Sequence, residues 1–119
     1  MITVINGIAN TFGRGRLSFK ADRAYDVYAL EGHSEDGDAK ITLGITNISD
    51  TLVSLAHGIT GGGYDWIKWS GHLILLDGDM LGMEVHEGVD SGRFQFKIVL
   101  IPIAIVKKVE KEVEKEWLP

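Results

Sequence analysis

Four histidines, several carboxylates set beside glycines, and a cluster of aromatic residues are the groups in this sequence with chemical reach. His33, His57, His72 and His86 are single residues, with no His-x-His pair and no His-Glu-x-x-His unit to fix two metal ligands by local spacing. His72 and His86 flank the Asp77-Gly78-Asp79 turn. If the flanking segments pair as a hairpin, His72, Asp79 and His86 come near one another without being in direct register. They are the residues to consider for a metal. Glu35-Asp36-Gly37-Asp38 and Asp77-Gly78-Asp79 lack the spacing and the distal Glu of a calcium loop. Both read as turns, in which Asp bonds its own backbone and Gly takes left-handed conformations. Ser54, Ser70 and Ser91 have no Gly-x-Ser-x-Gly elbow around them. No cysteine is present, which removes thiol catalysis, thiolate ligands and disulfides.

The aromatic residues carry the better binding signal. Tyr64, Trp66 and Trp69 follow directly on Gly61-Gly62-Gly63. Trp and Tyr offer flat apolar area with a polar edge, which suits sugar rings and protein partners alike. Alternation along an extended strand sends Tyr64 and Trp66 to one face and Trp69 to the other, and one of these faces belongs to the core. The triple glycine is not a phosphate loop, because no Lys-Ser/Thr follows it. Arg14, Arg16, Lys20 and Arg23 form a local basic cluster that reads as a solvated face or a subunit contact.

The elements that must position these groups are short strands. Fifteen glycines and two prolines punctuate brief apolar segments, a pattern of many strands joined by turns. Strands are predicted over residues 1–5, ending in an Asn6-Gly7 turn, and over 16–20, with Leu17 and Phe19 on one face. Others are predicted over 24–30; over 39–47, with Ile41, Leu43 and Ile45 on one face; and over 51–57. A strand over 64–69 is followed by a break at Ser70-Gly71, then by strands over 72–76 and 80–86. Residues 35–38 are predicted to turn a hairpin. Residues 93–106 form the longest apolar piece. Phe94, Phe96, Ile98 and Leu100 line one face, and the second half is apolar on both. Such a strand is either central and covered on both sides or leaves the body into a subunit interface. Pro102 marks a bend, bulge or edge in it.

Residues 107–119 differ in kind. Good helix formers dominate, and Val109, Val113 and Trp117 repeat every four residues on one helical face. The predicted architecture is therefore all-β: an antiparallel sandwich or barrel over residues 1–106, made jelly-roll-like by the resemblance given below, with a short charged C-terminal α-helix or extension over 107–119. A parallel sheet would need crossover helices that the chain does not contain before its C-terminus.

Size and charge narrow the classes of function. The 119 residues make one domain, and 45% hydrophobic residues can build a core. A net charge of −5 argues against a nucleic-acid binder. No apolar run reaches about 18 residues, so no transmembrane helix is expected, and no signal peptide is visible at the N-terminus. A cytoplasmic location is expected on these grounds, or a virion one if the resemblance given next holds. The Lys/Glu/Val-rich tail and absent cysteine are compatible with a thermophilic source.

Residues 64–102, with a Trp-containing strand, an apolar strand ending in Leu76-Asp77-Gly78-Asp79, a return strand and a last apolar strand, resemble the closing strands of jelly-roll domains. These include trimeric heads of the tumour-necrosis-factor and complement type. The stretch also looks like small jelly-roll virion proteins of tailed bacteriophages, of the head, neck or tail accessory type. That resemblance implies an oligomer that sits among other virion proteins. The usual tumour-necrosis-factor last-strand phrase Phe-Ser-Gly-Phe and the cupin His-x-His pair are absent.

The expected function is thus non-enzymatic: a self-associating structural component, trimeric or a larger ring, with no cofactor and no membrane. Its expected interface uses Ile101, Ile103, Ile105, Val109, Val113 and Trp117. Burial between subunits contributes roughly 1.5–3 kcal/mol per large apolar side chain before ordering costs. The alternative is a carbohydrate- or small-ligand-binding module using Tyr64, Trp66 and Trp69. A third reading is a small metal-dependent β-barrel enzyme built on His72, Asp79 and His86.

Overall fold

The computed structural model describes residues 1–61 and 65–103. Eight strands run through them: β1 (Ile2–Ile8), β2 (Gly15–Lys20), β3 (Tyr25–Ser34), β4 (Ala39–Thr46), β5 (Leu52–Thr60), β6 (Ile67–Leu75), β7 (Met80–Glu87) and β8 (Arg93–Pro102). They form two four-stranded antiparallel sheets. Sheet A has the order β1-β8-β3-β6 and sheet B the order β2-β7-β4-β5. The sheets pack face to face as a β-sandwich.

Alternation explains which side of each strand turns inward. On β8, Phe94, Phe96, Ile98 and Leu100 are all buried, as the spacing predicts. They meet Val27 and Leu30 of β3 within sheet A. Ile41 and Leu43 of β4 and Leu81, Met83 and Val85 of β7 come from sheet B. Leu17 and Phe19 of β2, Ile5 of β1 and Trp69 of β6 pack on the margin of this cluster.

Only β4 and β5 are consecutive strands that pair with each other; every other link passes from one sheet to the other. That overturns two expected hairpins. Residues 35–38 carry the chain from β3 in sheet A to β4 in sheet B. The Asp77-Gly78-Asp79 turn carries it from β6 in sheet A to β7 in sheet B. Gly78 there has φ of +94°, a conformation that Gly takes without steric cost. Its N–H donates to Ala21 O (2.8 Å), so the turn is tied to the β2–β3 link.

Asn6-Gly7 is likewise no turn. β1 runs through it because Gly7 lies opposite Phe94, and a Cβ on Gly7 would stand 2.8 Å from the Phe94 ring. The glycine serves close packing here, not chain reversal. The Ser70-Gly71 break is a bulge inside one continuous strand. Val27 pairs with Leu73 and Ala29 with Ser70, so Gly71 and His72 together stand against Tyr28 alone. β8 ends at Pro102, and its outer face is not covered by either sheet: Val99 is half-buried and Ile101 is exposed. The helix predicted over 107–119 lies outside the described residues, as do Ile105, Val109, Val113 and Trp117. No helix among the described residues is long and apolar enough to cross a membrane.

Candidate functional site

The outer faces of the two sheets differ in chemistry. Arg16, Ser18 and Lys20 of β2, Lys40 and Thr42 of β4, His57 of β5, and Glu84 and His86 of β7 give sheet B a polar outer face, with Ile59 at its β5 margin. Arg16 is drawn into a network there. It donates to Thr46 Oγ1 (3.0 Å) and Asp50 O (3.1 Å) and lies 3.7 Å from Glu84 Oε1. Asn10, Arg14, Arg16, Glu84, His86 and Glu87 line an open groove of about 550 Å³ at the β2 end of this face. Its lining carries charges of both signs.

Sheet A presents apolar side chains instead. Ile2, Val4 and Ile8 of β1, Ile74 of β6 and Ile101 of β8 are between 48% and 71% exposed on its outer face. Register fixes their neighbours. Ile2 lies beside Val99, and Val99 beside Ala29. Ile101 and Ile74 flank Asp26 from either side. Across the middle runs an ion pair, Lys97 Nζ to Glu31 Oε2 at 3.3 Å, with Lys68 opposite Glu31 on β6. Charged neighbours stand among them: Val4 lies beside Lys97, Ile8 beside Arg93, and Asp26 between Ile74 and Ile101.

A polar cluster interrupts this face at the β3–β6 bulge. His72 Nδ1–H donates to Asp26 Oδ2 (3.2 Å), and the His72 and Tyr28 rings meet edge to face at 4.8 Å between centroids. Partial burial, then the nearby Asp26 carboxylate, hold the Tyr28 phenol above its usual pKa. At the far end of sheet A, Arg93 grips Asp36. Its backbone N–H and Nε donate to Oδ2 (2.7 and 3.2 Å), and its Nη2 donates to Oδ1 (2.9 Å). These bonds pull the Asp36 carboxyl down to about 2. The pair latches the β3–β4 link onto the start of β8.

The proposed metal group does not assemble. His72 lies on the outer face of sheet A. His86 lies on the outer face of sheet B, sharing a hydrogen bond with Thr42 Oγ1 (2.8 Å). Asp79 is occupied within its own turn, accepting from Leu76 N–H at 2.8 Å. The hairpin that would have brought the three together does not exist, because β6 and β7 belong to different sheets. Among the described residues no group of three or more His, Asp or Glu side chains is placed to hold a metal ion.

The aromatic residues also separate. Trp69 faces inward, half-buried against the core opposite Leu30. Trp66 stacks on the buried His33 ring, with centroids 4.6 Å apart and planes at 25°. His33 Nδ1–H in turn donates to Asp65 O (2.9 Å), which anchors the entry to β6. The two indoles therefore do not share one flat platform, and Tyr64 lies outside the described residues. Of the predicted interface residues, Ile101 is exposed on the outer face of sheet A. Ile103 is half-buried, its N–H donating to Ala24 O at 3.0 Å.

Sequence reading missed Ile2, Val4, Ile8 and Ile74 as surface residues. The signal lay in β1, where Ile, Val and Ile occupy alternate positions and Thr3, Ile5 and Gly7 the others. A strand apolar on both sides of its alternation has one side left over when only one packs on a core. Comparison with protein-family models, with curated proteins and with solved structures returned no match for this chain.

Proposed function

We propose that this chain is a non-enzymatic structural protein that works by self-association, built as a jelly roll and serving as a small component of a virion. The observation that carries the self-association reading is the outer face of sheet A. Ile2, Val4, Ile8, Ile74 and Ile101 stand exposed on one face, while the opposite face of the sandwich is polar apart from Ile59 at its β5 margin. The strand order supports the jelly-roll reading: eight strands in two sheets, with β1 next to β8 and β2 next to β7, follow from two Greek keys wrapped together. The virion reading rests on the resemblance of residues 64–102 to small bacteriophage jelly-roll proteins.

Light scattering on the full chain tests the reading. A mass that is a multiple of 13.1 kDa is expected, shifting toward the monomer in Ile2→Glu/Ile8→Glu. Ile2 is 59% and Ile8 71% exposed, and neither stands beside a carboxylate in its own sheet. A monomer at every concentration tested would sink the proposal.

A further inference from the structure

β1 is an edge strand, and its open side can be read residue by residue. In an antiparallel pair, residues whose N–H and C=O face the partner alternate with residues whose groups face away. Leu100 N–H donates to Met1 O (3.0 Å) and Ala9 N–H donates to Gly92 O (2.8 Å). Between them the register runs unbroken from Ile2 opposite Val99 to Ile8 opposite Arg93. Thr3, Ile5 and Gly7 therefore bond to β8. The backbone groups of Ile2, Val4, Asn6 and Ile8 point out of the sheet. None of these is proline, and β8 is the only strand paired with β1 among the described residues.

Sheet edges invite pairing, and proteins guard them with charge, proline, bulges or cover. β2 carries Arg16 and Lys20. β5 has a bulge at Leu55, and β6 has both a bulge and Lys68. β1 has no charged residue, no proline and no register shift. The residues that aim their amides outward also carry the exposed side chains Ile2, Val4 and Ile8.

We infer that the open edge of β1 pairs antiparallel with β1 of a second copy about a two-fold axis at Ile5, joining two A sheets into one continuous eight-stranded sheet. The inference rests on the self-association reading and names its contact. A strand paired antiparallel with itself makes an isologous contact, in which one patch serves both subunits. With the axis at Ile5, Ile2 lies opposite Ile8 of the partner subunit and Val4 opposite Asn6 of the partner subunit. All four outward residues then exchange hydrogen bonds. An axis at Val4 or at Asn6 pairs only three. Each chain carries a net charge of −5, yet no charged side chain of β1 meets its copy here. A second copy thus fits the edge without like-charge repulsion.

Two sets of full-chain variants test the contact. Val4→Pro/Asn6→Pro removes two outward donors and leaves every bond to β8, and proline is tolerated on an edge strand where the N–H faces solvent. The mass by light scattering is expected to fall twofold, with the far-UV circular dichroism unchanged. Ile5→Cys gives an independent readout, because the chain has no cysteine of its own. At the axis the two Cα atoms lie about 4.5 Å apart, within disulfide reach. Diamide oxidation is expected to convert most of Ile5→Cys into a covalent dimer on a non-reducing gel, with Thr3→Cys giving little. If the proline pair unfolds the chain, the cysteine result decides. An oligomer that keeps its mass in the proline variant and gives no Ile5→Cys dimer overturns this contact and leaves self-association standing. A wild-type monomer in which the amides of Ile2, Val4, Asn6 and Ile8 resist hydrogen exchange overturns both, since the chain then covers its own edge.

Discussion

Arg93 and Asp36 are the most tightly bonded charged pair in the described structure; the sequence offers Asp36 only as a turn residue and Arg93 not at all. They lie 57 positions apart, and only the return of β8 beside β3 brings them together. Their role is to hold a loop. Asp36 has its folded pKa lowered to about 2, chiefly by the Arg93 side-chain hydrogen bonds, from an unfolded value of about 3.9. A depressed carboxylate stabilises the fold above the unfolded pKa and loses that contribution as pH falls through the folded one. Urea midpoints of wild type and Asp36→Asn should therefore differ at neutral pH and converge as pH drops from about 4 to about 2. Curves that stay parallel throughout that window would refute the latch. The histidines teach the converse lesson. His72 and His86 flank one turn in the sequence yet end on opposite faces of the sandwich, because a turn between sheets separates what a hairpin would join.

At the scale of elements, period-two alternation identified the inner faces of β2, β4 and β8 correctly, because each has one face on the core. Phe96 is the centre of β8 and is fully buried. Phe96→Ala should cost about 3–5 kcal/mol, read as a lower denaturant midpoint at unchanged slope. A loss below about 1 kcal/mol would mean the two sheets are not packed through this residue. Strand ends were less legible. Asn6-Gly7 has the composition of a turn and lies within β1, where the ring of Phe94 takes the space of the missing Cβ. Ser70-Gly71 has the composition of a break and is a bulge, which places His72 on the outer face beside Asp26. In both cases a contact distant in sequence overrode a local preference.

For the whole molecule, the exposed face of sheet A and the open edge of β1 adjoin each other through Ile2, Val4 and Ile8. Association there would bury apolar side chains and pair free amides together. Binding that favours the folded state raises apparent stability by mass action. The thermal midpoint of the wild-type chain should therefore rise with protein concentration, and that of Val4→Pro/Asn6→Pro should not. A wild-type midpoint independent of concentration over two decades would count against assembly through this surface.

Composition and alternation by themselves determined an all-β chain of short antiparallel strands, the inward residues of its longest strand, and the lack of local metal or nucleophile motifs. These are properties of near neighbours along the chain, where period and turn chemistry act directly. The tertiary structure alone decided which strands are neighbours, which of two apolar faces is buried, and which edge stays open. Each depends on pairing between segments many residues apart. The free energy of such pairing comes from surfaces that meet only once both sheets are formed.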